Sequence, residues 1–144
     1  MTVDGHGEDD CTNLWIAEKG SIRHIRQWLL PNSIGWFYTK FTQWFGFHPH
    51  DGEGKLMGLA AYGQKVKELI AKVHKVIHLT GDNDIYCVDA RFFYAEFIKD
   101  NAFTEEWIKL FGEPRPLESK EPFSDYHKNL AIAVQCVLEE IVLV

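Results

Sequence analysis

Thr2-Val3-Asp4-Gly5-His6-Gly7-Glu8 opens the chain with two β-formers, a carboxylate, and glycines alternating with polar residues. The stretch reads as the end of a β-strand turning into a glycine loop. A carboxylate at a strand end, followed by glycines, can bring a metal ligand and backbone N–H groups to a phosphate. Glycine suits such a place because a residue without Cβ lets the backbone approach closely. An ordinary β-turn uses the same residues, so the loop by itself leaves both readings open. Downstream, Asn13 to Ala17 and Ile22 to Trp28 are strand-forming runs separated by Glu18-Lys19-Gly20-Ser21, the pattern of a β-hairpin.

Beyond the hairpin the period changes from two to that of a helix. Pro31-Asn32-Ser33 breaks the strand, and Ser33 offers a capping hydroxyl. From Ile34 onward, Phe37, Phe41, Trp44 and Phe45 recur on one helical face, and Gly46 supplies the stop. Lys55 to Tyr62 reads as a helix of small residues able to lie close against another backbone, ended by Gly63. Gln64 to His78 has the spacing of one amphipathic helix, with Val66, Leu69, Ile70, Val73 and Ile77 on its apolar side. A turn at Gly81-Asp82-Asn83-Asp84 precedes a short strand, Ile85 to Val88. Phe92 to Phe111 is mixed, with two helical pieces. The last helix starts near Ser124 and carries Leu130, Ala131, Val134, Val137, Leu138 and Ile141 at core spacing. The expected class is α/β with α+β character, its β-structure concentrated near the N-terminus.

At 144 residues, 46% apolar and 25% charged, the composition fits one globular domain. The formal net charge of −6 argues against a nucleic-acid partner, since neutralising phosphate backbones needs clustered Lys and Arg. Cys11, Cys87 and Cys136 lack C-x-x-C spacing and read as buried free thiols, which suits a reducing cytoplasm. No signal peptide or membrane span is recognisable in these residues. Thr2-Val3 looks like a strand with almost no beginning, and the helix from Tyr126 ends in apolar Ile141-Val142-Leu143-Val144. Both features are expected of a piece of a longer polypeptide.

A second glycine loop, Gly52-Glu53-Gly54-Lys55, leads into Met57-Gly58-Leu59-Ala60-Ala61-Tyr62-Gly63. A helix N-terminus presents unpaired N–H groups and positive potential. Lys55 would face phosphate there and Glu53 would accept from ribose hydroxyls, although an ordinary helix start with exposed charges fits equally. Neither a Walker loop nor G-x-G-x-x-G occurs. His48, His50 and Asp51 form a sparse metal candidate that reads better as a solvated loop, whereas His6 is better placed to meet a ligand.

Four segments in order resemble the O-carbamoyltransferases that modify nodulation factors and antibiotics such as cephamycins and tobramycin. They are Val3-Asp4-Gly5-His6-Gly7-Glu8, then Ser33-Ile34-Gly35 with Phe37-Tyr38 and Thr42, then Gly46-Phe47, then Gly52 through Gly63. The run Ala131-Ile132-Ala133-Val134-Gln135 through Leu138-Glu139-Glu140 is similar to the family's A-x-x-Q-x-x-x-E helix.

The resemblance implies part of an actin-like or sugar-kinase-like (ribonuclease H-like) ATPase domain, close to the threonylcarbamoyl-adenylate synthesising proteins. Residues 1–144 would be part of the N-terminal nucleotide-binding domain. It implies that carbamoyl phosphate and ATP give carbamoyl adenylate, whose carbamoyl group passes to a hydroxyl acceptor. It also implies a divalent metal, iron or magnesium, with Asp4 as one ligand. Gly5, Gly7 and Glu8 would shape the phosphate loop, and Gly52, Glu53 and Lys55 would lie near the nucleoside. The family's H-x-x-x-H pair, its later glycine-rich segment and its C-terminal domain have no counterpart in these residues, and Ala61 stands where a proline is usual. The runner-up reading is a catalytically silent interaction or regulatory module on the same scaffold.

Overall fold

The computed structural model describes residues 1–5, 7, 10–81, 85–93 and 103–143. A three-stranded antiparallel sheet opens the chain, with β1 (Thr2–Val3), β2 (Asp10–Glu18) and β3 (Ser21–Leu29) in the order β1-β2-β3. The hairpin foreseen between Ala17 and Ile22 is present, with Glu18 opposite Ser21. Lys19 and Gly20 both have positive φ, 51° and 79°, the handedness that matches the twist of the two strands. The hairpin is packed only at its base: Cys11, Thr12 and Trp28 are buried, while Trp15, Ile16, Ile22 and Ile25 are exposed. β1 lies at the sheet edge with both residues exposed, so Asp4 follows an edge strand rather than a core strand.

Helix α1 (Ile34–Trp44) starts where its cap is written. The Ser33 side chain accepts from Trp36 N–H, and Gly46, at φ 80°, reverses the chain after the last turn. Its apolar face is the centre of the molecule. Phe37, Phe41, Trp44 and Phe45 are buried, and the Phe41 ring lies 4.8 Å from Trp107 and 5.1 Å from Phe111. Removing such side chains from water is worth about 1.5–3 kcal/mol each.

Helix α2 (Glu53–Ala60) begins two residues before the expected start. Gly54 and Gly58 face open space, so the close backbone approach foreseen for this helix occurs past its end. A Cβ on Gly63 would lie 2.1 Å from the Lys128 carbonyl oxygen. Helix α5 (Asp125–Val142), begun by a capping box between Ser124 and His127, packs along α2 and along α3 (Lys67–Val73).

The expected single helix from Gln64 to His78 is two elements. Helix α3 covers Lys67–Val73, and Ile77–Leu79 is strand β4, paired antiparallel with β5 (Tyr86–Val88). Val73, Val76 and Ile77 are all buried, so the apolar spacing was sound while the backbone differed. The β-branched Val76 and Ile77 lie where the chain leaves the helix to meet β5. A short 3₁₀ turn, Ala90–Phe92, follows, and α4 is Glu105–Phe111. Between these two pieces, residues 94–102 lie outside the described residues, as do Asp82, Asn83 and Asp84 of the foreseen turn. Cys11 is buried, Cys87 and Cys136 are half-buried, and all three are free. No helix among the described residues is long and apolar enough to cross a membrane.

Candidate functional site

The first glycine loop closes on itself through its backbone. Asp4 N–H donates to the Cys11 carbonyl at 2.8 Å, and Gly7 N–H donates to the Asp10 carbonyl at 2.6 Å. Gly5 N–H donates to Asp4 Oδ1 at 2.7 Å. The side chain of Asn13 donates to Asp10 Oδ2, and its own oxygen lies 2.8 Å from His24 Nε2. The result is a small pocket of about 160 Å³ lined by Asp4, Gly7, Asp10, Cys11 and Asn13, with Thr2 and Val3 at its edge.

Among the described residues, the carboxylates of Asp4 and Asp10 and the thiol of Cys11 meet in this pocket. Burial first, and the negative charge of Asp10 second, push the Cys11 thiol up to about 11. It remains protonated and lies 3.1 Å from both the Trp28 and Asn32 carbonyl oxygens. Behind it the Tyr86 hydroxyl lies 2.9 Å from Thr12 Oγ1 and from the Asn32 carbonyl. Burial raises the phenol above its usual range. Val88 N–H donates to Asn32 Oδ1 at 2.9 Å, which ties the small second sheet to the base of the hairpin.

The loop rests on the start of α1. Ser33 Oγ lies 2.5 Å from the Gly5 carbonyl oxygen and 3.2 Å from that of Asp4. A Cβ on Gly35 would fall 2.5 Å from the Asp4 oxygen and 2.6 Å from the Gly5 nitrogen. A Cβ on Gly5 would sit 3.7 Å from the Trp36 indole. The other side of this helix turn meets the second glycine loop, where the His50 ring is edge-on to Trp36 at 5.6 Å.

The expected site residues are therefore treated unequally. Asp4 and Gly7 line the pocket, and Gly5 lies beside it against Trp36. Glu8 and His6 lie outside the described residues. Gly52 is buried, and a Cβ there would meet Phe47 Cβ at 2.5 Å and the His48 oxygen at 2.7 Å, so packing alone demands glycine. Glu53 Oε1 accepts from Thr39 Oγ1 at 3.0 Å and from His50 N–H at 2.9 Å, fastening its loop to α1. Lys55 is exposed, and its backbone N–H donates to the Gly52 carbonyl at 2.9 Å.

Ser33 was legible as a cap, but its bond to the loop was not, and Asp10 and Trp36 were missed. The Ser33-Ile34-Gly35 string is the signal that pointed closest to them.

As a holder of metal, this set is incomplete. Among the described residues no group of three or more His, Cys, Asp or Glu side chains is placed to share an ion, including His48, His50 and Asp51. Among the described residues, Asp4 and Asp10 are the carboxylates that line the pocket.

A larger groove of about 560 Å³ lies elsewhere, lined by Lys75, Asp89, Arg91, Phe92, Glu106 and Lys109 among others. None of the expected site residues that are described lines it. Its Arg91 is tied to Asp89 by paired contacts of 3.0 and 2.5 Å, which hold the Asp89 carboxyl below its ordinary range and cancel much of the local charge.

Comparison with known proteins agrees with the motifs. The family described as carbamoyltransferase N-terminus matches residues 1–144. An uncharacterized protein of Synechocystis sp. is 32% identical over 144 residues, covering 99% of this chain and 23% of that protein. An uncharacterized protein of Methanocaldococcus jannaschii is 37% identical over 62 residues, 43% of this chain and 12% of that protein. The matched stretches thus cover less than a quarter of the length of either relative. With a family match running from the first residue to the last, through both glycine loops, the chain belongs to the carbamoyltransferase N-terminus family.

Proposed function

We propose that this chain is part of the N-terminal nucleotide-binding domain of an ATP-using carbamoyltransferase. The observation that carries the reading is the Asp4 loop. In a chain of this family, two carboxylates, Asp4 and Asp10, and the glycine Gly7 line one small pocket. Two like charges beside a phosphate would repel it, so the arrangement makes sense with a divalent cation, iron or magnesium, between carboxylate and phosphate. Asp4 would be one ligand of that cation. The remaining ligands would come from outside the described residues, in an actin-like ATPase fold completed by the rest of a longer polypeptide.

In this reading carbamoyl phosphate and ATP give carbamoyl adenylate, and the carbamoyl group passes to the hydroxyl of a small acceptor. Gly5, Gly7 and Glu8 shape the phosphate loop. Gly52 and Glu53 shape the second loop, and Lys55, extended from α2, reaches the nucleotide. The test is carbamoyl-phosphate-dependent release of pyrophosphate from ATP by the intact protein: carbamoyl phosphate and water give carbamate and inorganic phosphate, and attack of the carbamate oxygen on the α-phosphorus of ATP must expel pyrophosphate. Release that requires both substrates is the expected result. No release under any divalent metal would overturn the reading and favour a silent module on the same scaffold.

A further inference from the structure

The two glycine loops are separated by more than forty residues in sequence, yet both are fastened to the first two turns of one helix. Ser33 is buried and its hydroxyl does two jobs. Its oxygen accepts the Trp36 N–H at 3.0 Å, which caps α1, and its proton goes to the Gly5 carbonyl at 2.5 Å, which holds the first loop. Gly35 leaves room for that contact, since any Cβ would enter the Asp4–Gly5 peptide.

The second loop is fastened at Trp36 and Thr39, three residues apart and so on one face of the helix. His50 packs edge-on against Trp36, and Thr39 donates to the Glu53 oxygen that also accepts the His50 N–H. His50 adopts a positive φ of 66°, a conformation a non-glycine residue keeps only when its surroundings enforce it.

We propose that the start of α1 is a shared anchor, in which Ser33, Gly35, Trp36 and Thr39 are positioning residues that set the two loops relative to each other. The proposal rests on the assignment of these loops to the carbamoyl-transfer site. Its chemical motive is simple. A phosphate loop and a nucleoside loop must be held in register, because a displacement of about 1 Å costs on the order of a hundredfold in rate. One rigid helix start that holds both loops removes their independent motion.

Three variants of the intact protein separate anchoring from mere helix capping. Glycine is nearly as good an N-cap as serine, so Ser33→Gly removes the bond to the loop while leaving α1 capped. Ser33→Thr keeps both jobs. Thr39→Val removes only the fastening of the second loop. The readouts are amide hydrogen exchange and, in the same samples, kcat and KM for ATP.

In Ser33→Gly, exchange at Asp4, Gly5 and Gly7 should quicken roughly tenfold, as expected for a lost hydrogen bond. kcat/KM should fall about a hundredfold, and Ser33→Thr should restore both. In Thr39→Val, faster exchange should appear at His50 and not at Gly5. Unchanged exchange at Asp4–Gly7 in Ser33→Gly, or an equal rise throughout α1, would overturn the anchor. Faster loop exchange with unaltered kinetics would support the anchor and overturn instead the assignment of the loops to the reaction.

Discussion

The loops at Asp4–Gly7 and Gly52–Lys55 look alike in sequence, each pairing glycines with charged side chains, yet the fold uses them differently. In the first, the polar groups turn toward a pocket: Asp4 and Asp10 line it, and Ser33 and Gly35 of α1 brace the backbone from behind. In the second, the same residue types serve the scaffold. Gly52 is glycine because Phe47 and His48 leave no room, and Glu53 is engaged by Thr39 and His50. Of its two charged residues, only Lys55 is exposed. A glycine beside a charge therefore marks either a loop or the first turn of a helix, and what fills the space where the missing Cβ would be identifies its purpose.

That contrast can be broken most forcefully at the closed glycines. Gly35→Ala and Gly52→Ala each place a methyl at 2.5 Å from a neighbour that is backbone or Cβ, so neither can be relieved by a side-chain rotation. Each should cost about 1–3 kcal/mol of stability, measured by denaturant unfolding. The two should differ in function: Gly35→Ala disturbs the Asp4 turn and abolishes most carbamoyl transfer, whereas Gly52→Ala lowers stability with a smaller loss of activity per folded molecule. Equal losses of activity would erase the distinction between the loops.

Lys55 sharpens the comparison next. If it reaches the nucleotide, Lys55→Ala removes a charge-assisted contact worth about 1.5–3 kcal/mol, roughly ten- to a hundredfold in ATP affinity. Calorimetry with ATP would show this, and unchanged affinity would leave the second loop with a scaffolding role only. Gly54 is the open counterpart of Gly52, with nothing within 4 Å of an added Cβ. Gly54→Ala should therefore stabilise α2, by up to about 0.5–1 kcal/mol, and a loss of stability would show that this face is covered.

The smallest expected effect lies away from both loops. His127 Nδ1 sits 2.6 Å from Ser124 Oγ in the capping box of α5, and burial, then the positive charge of Arg115, lowers its pKa below the ordinary 6.5. The folded state keeps it neutral, so the unfolded chain binds more protons as pH falls through 6.5. Stability from this group is present above that pH and is lost on acidification. The Tm should fall as the pH is lowered from 7 to 5, and His127→Gln, which keeps an acceptor at this position, should flatten that slope.

Much of the fold could be read from local chemistry. The Ser33 cap, the Gly46 stop and the Lys19-Gly20 turn each follow from one or two residues, and each is where the sequence put it. The misjudged helix from Gln64 to His78 shows the limit. Val73 and Ile77 are four apart and both buried, which satisfies a helix, yet the pairing of Ile77 with Val88 decides the backbone. Periodicity reports burial and is silent about a partner strand. The site was legible to the same degree. Asp4 and Gly7 do meet in one pocket, but the brace beneath them spans 28 residues from Gly5 to Ser33, and no local pattern reveals that contact.

The central claim is that Asp4 holds a cation for phosphate chemistry, and Asp4→Asn in the intact protein tests it most directly. Asparagine keeps the shape of the side chain, and its oxygen can still accept the Gly5 N–H that Asp4 Oδ1 takes at 2.7 Å, while the charge needed by a hard cation is removed. Bound metal and carbamoyl transfer, measured on the same purified samples, should both be almost entirely lost while the Tm stays close to that of the unaltered protein. Metal content and activity both near the original level would contradict the claim and return the Asp4 loop to an ordinary turn.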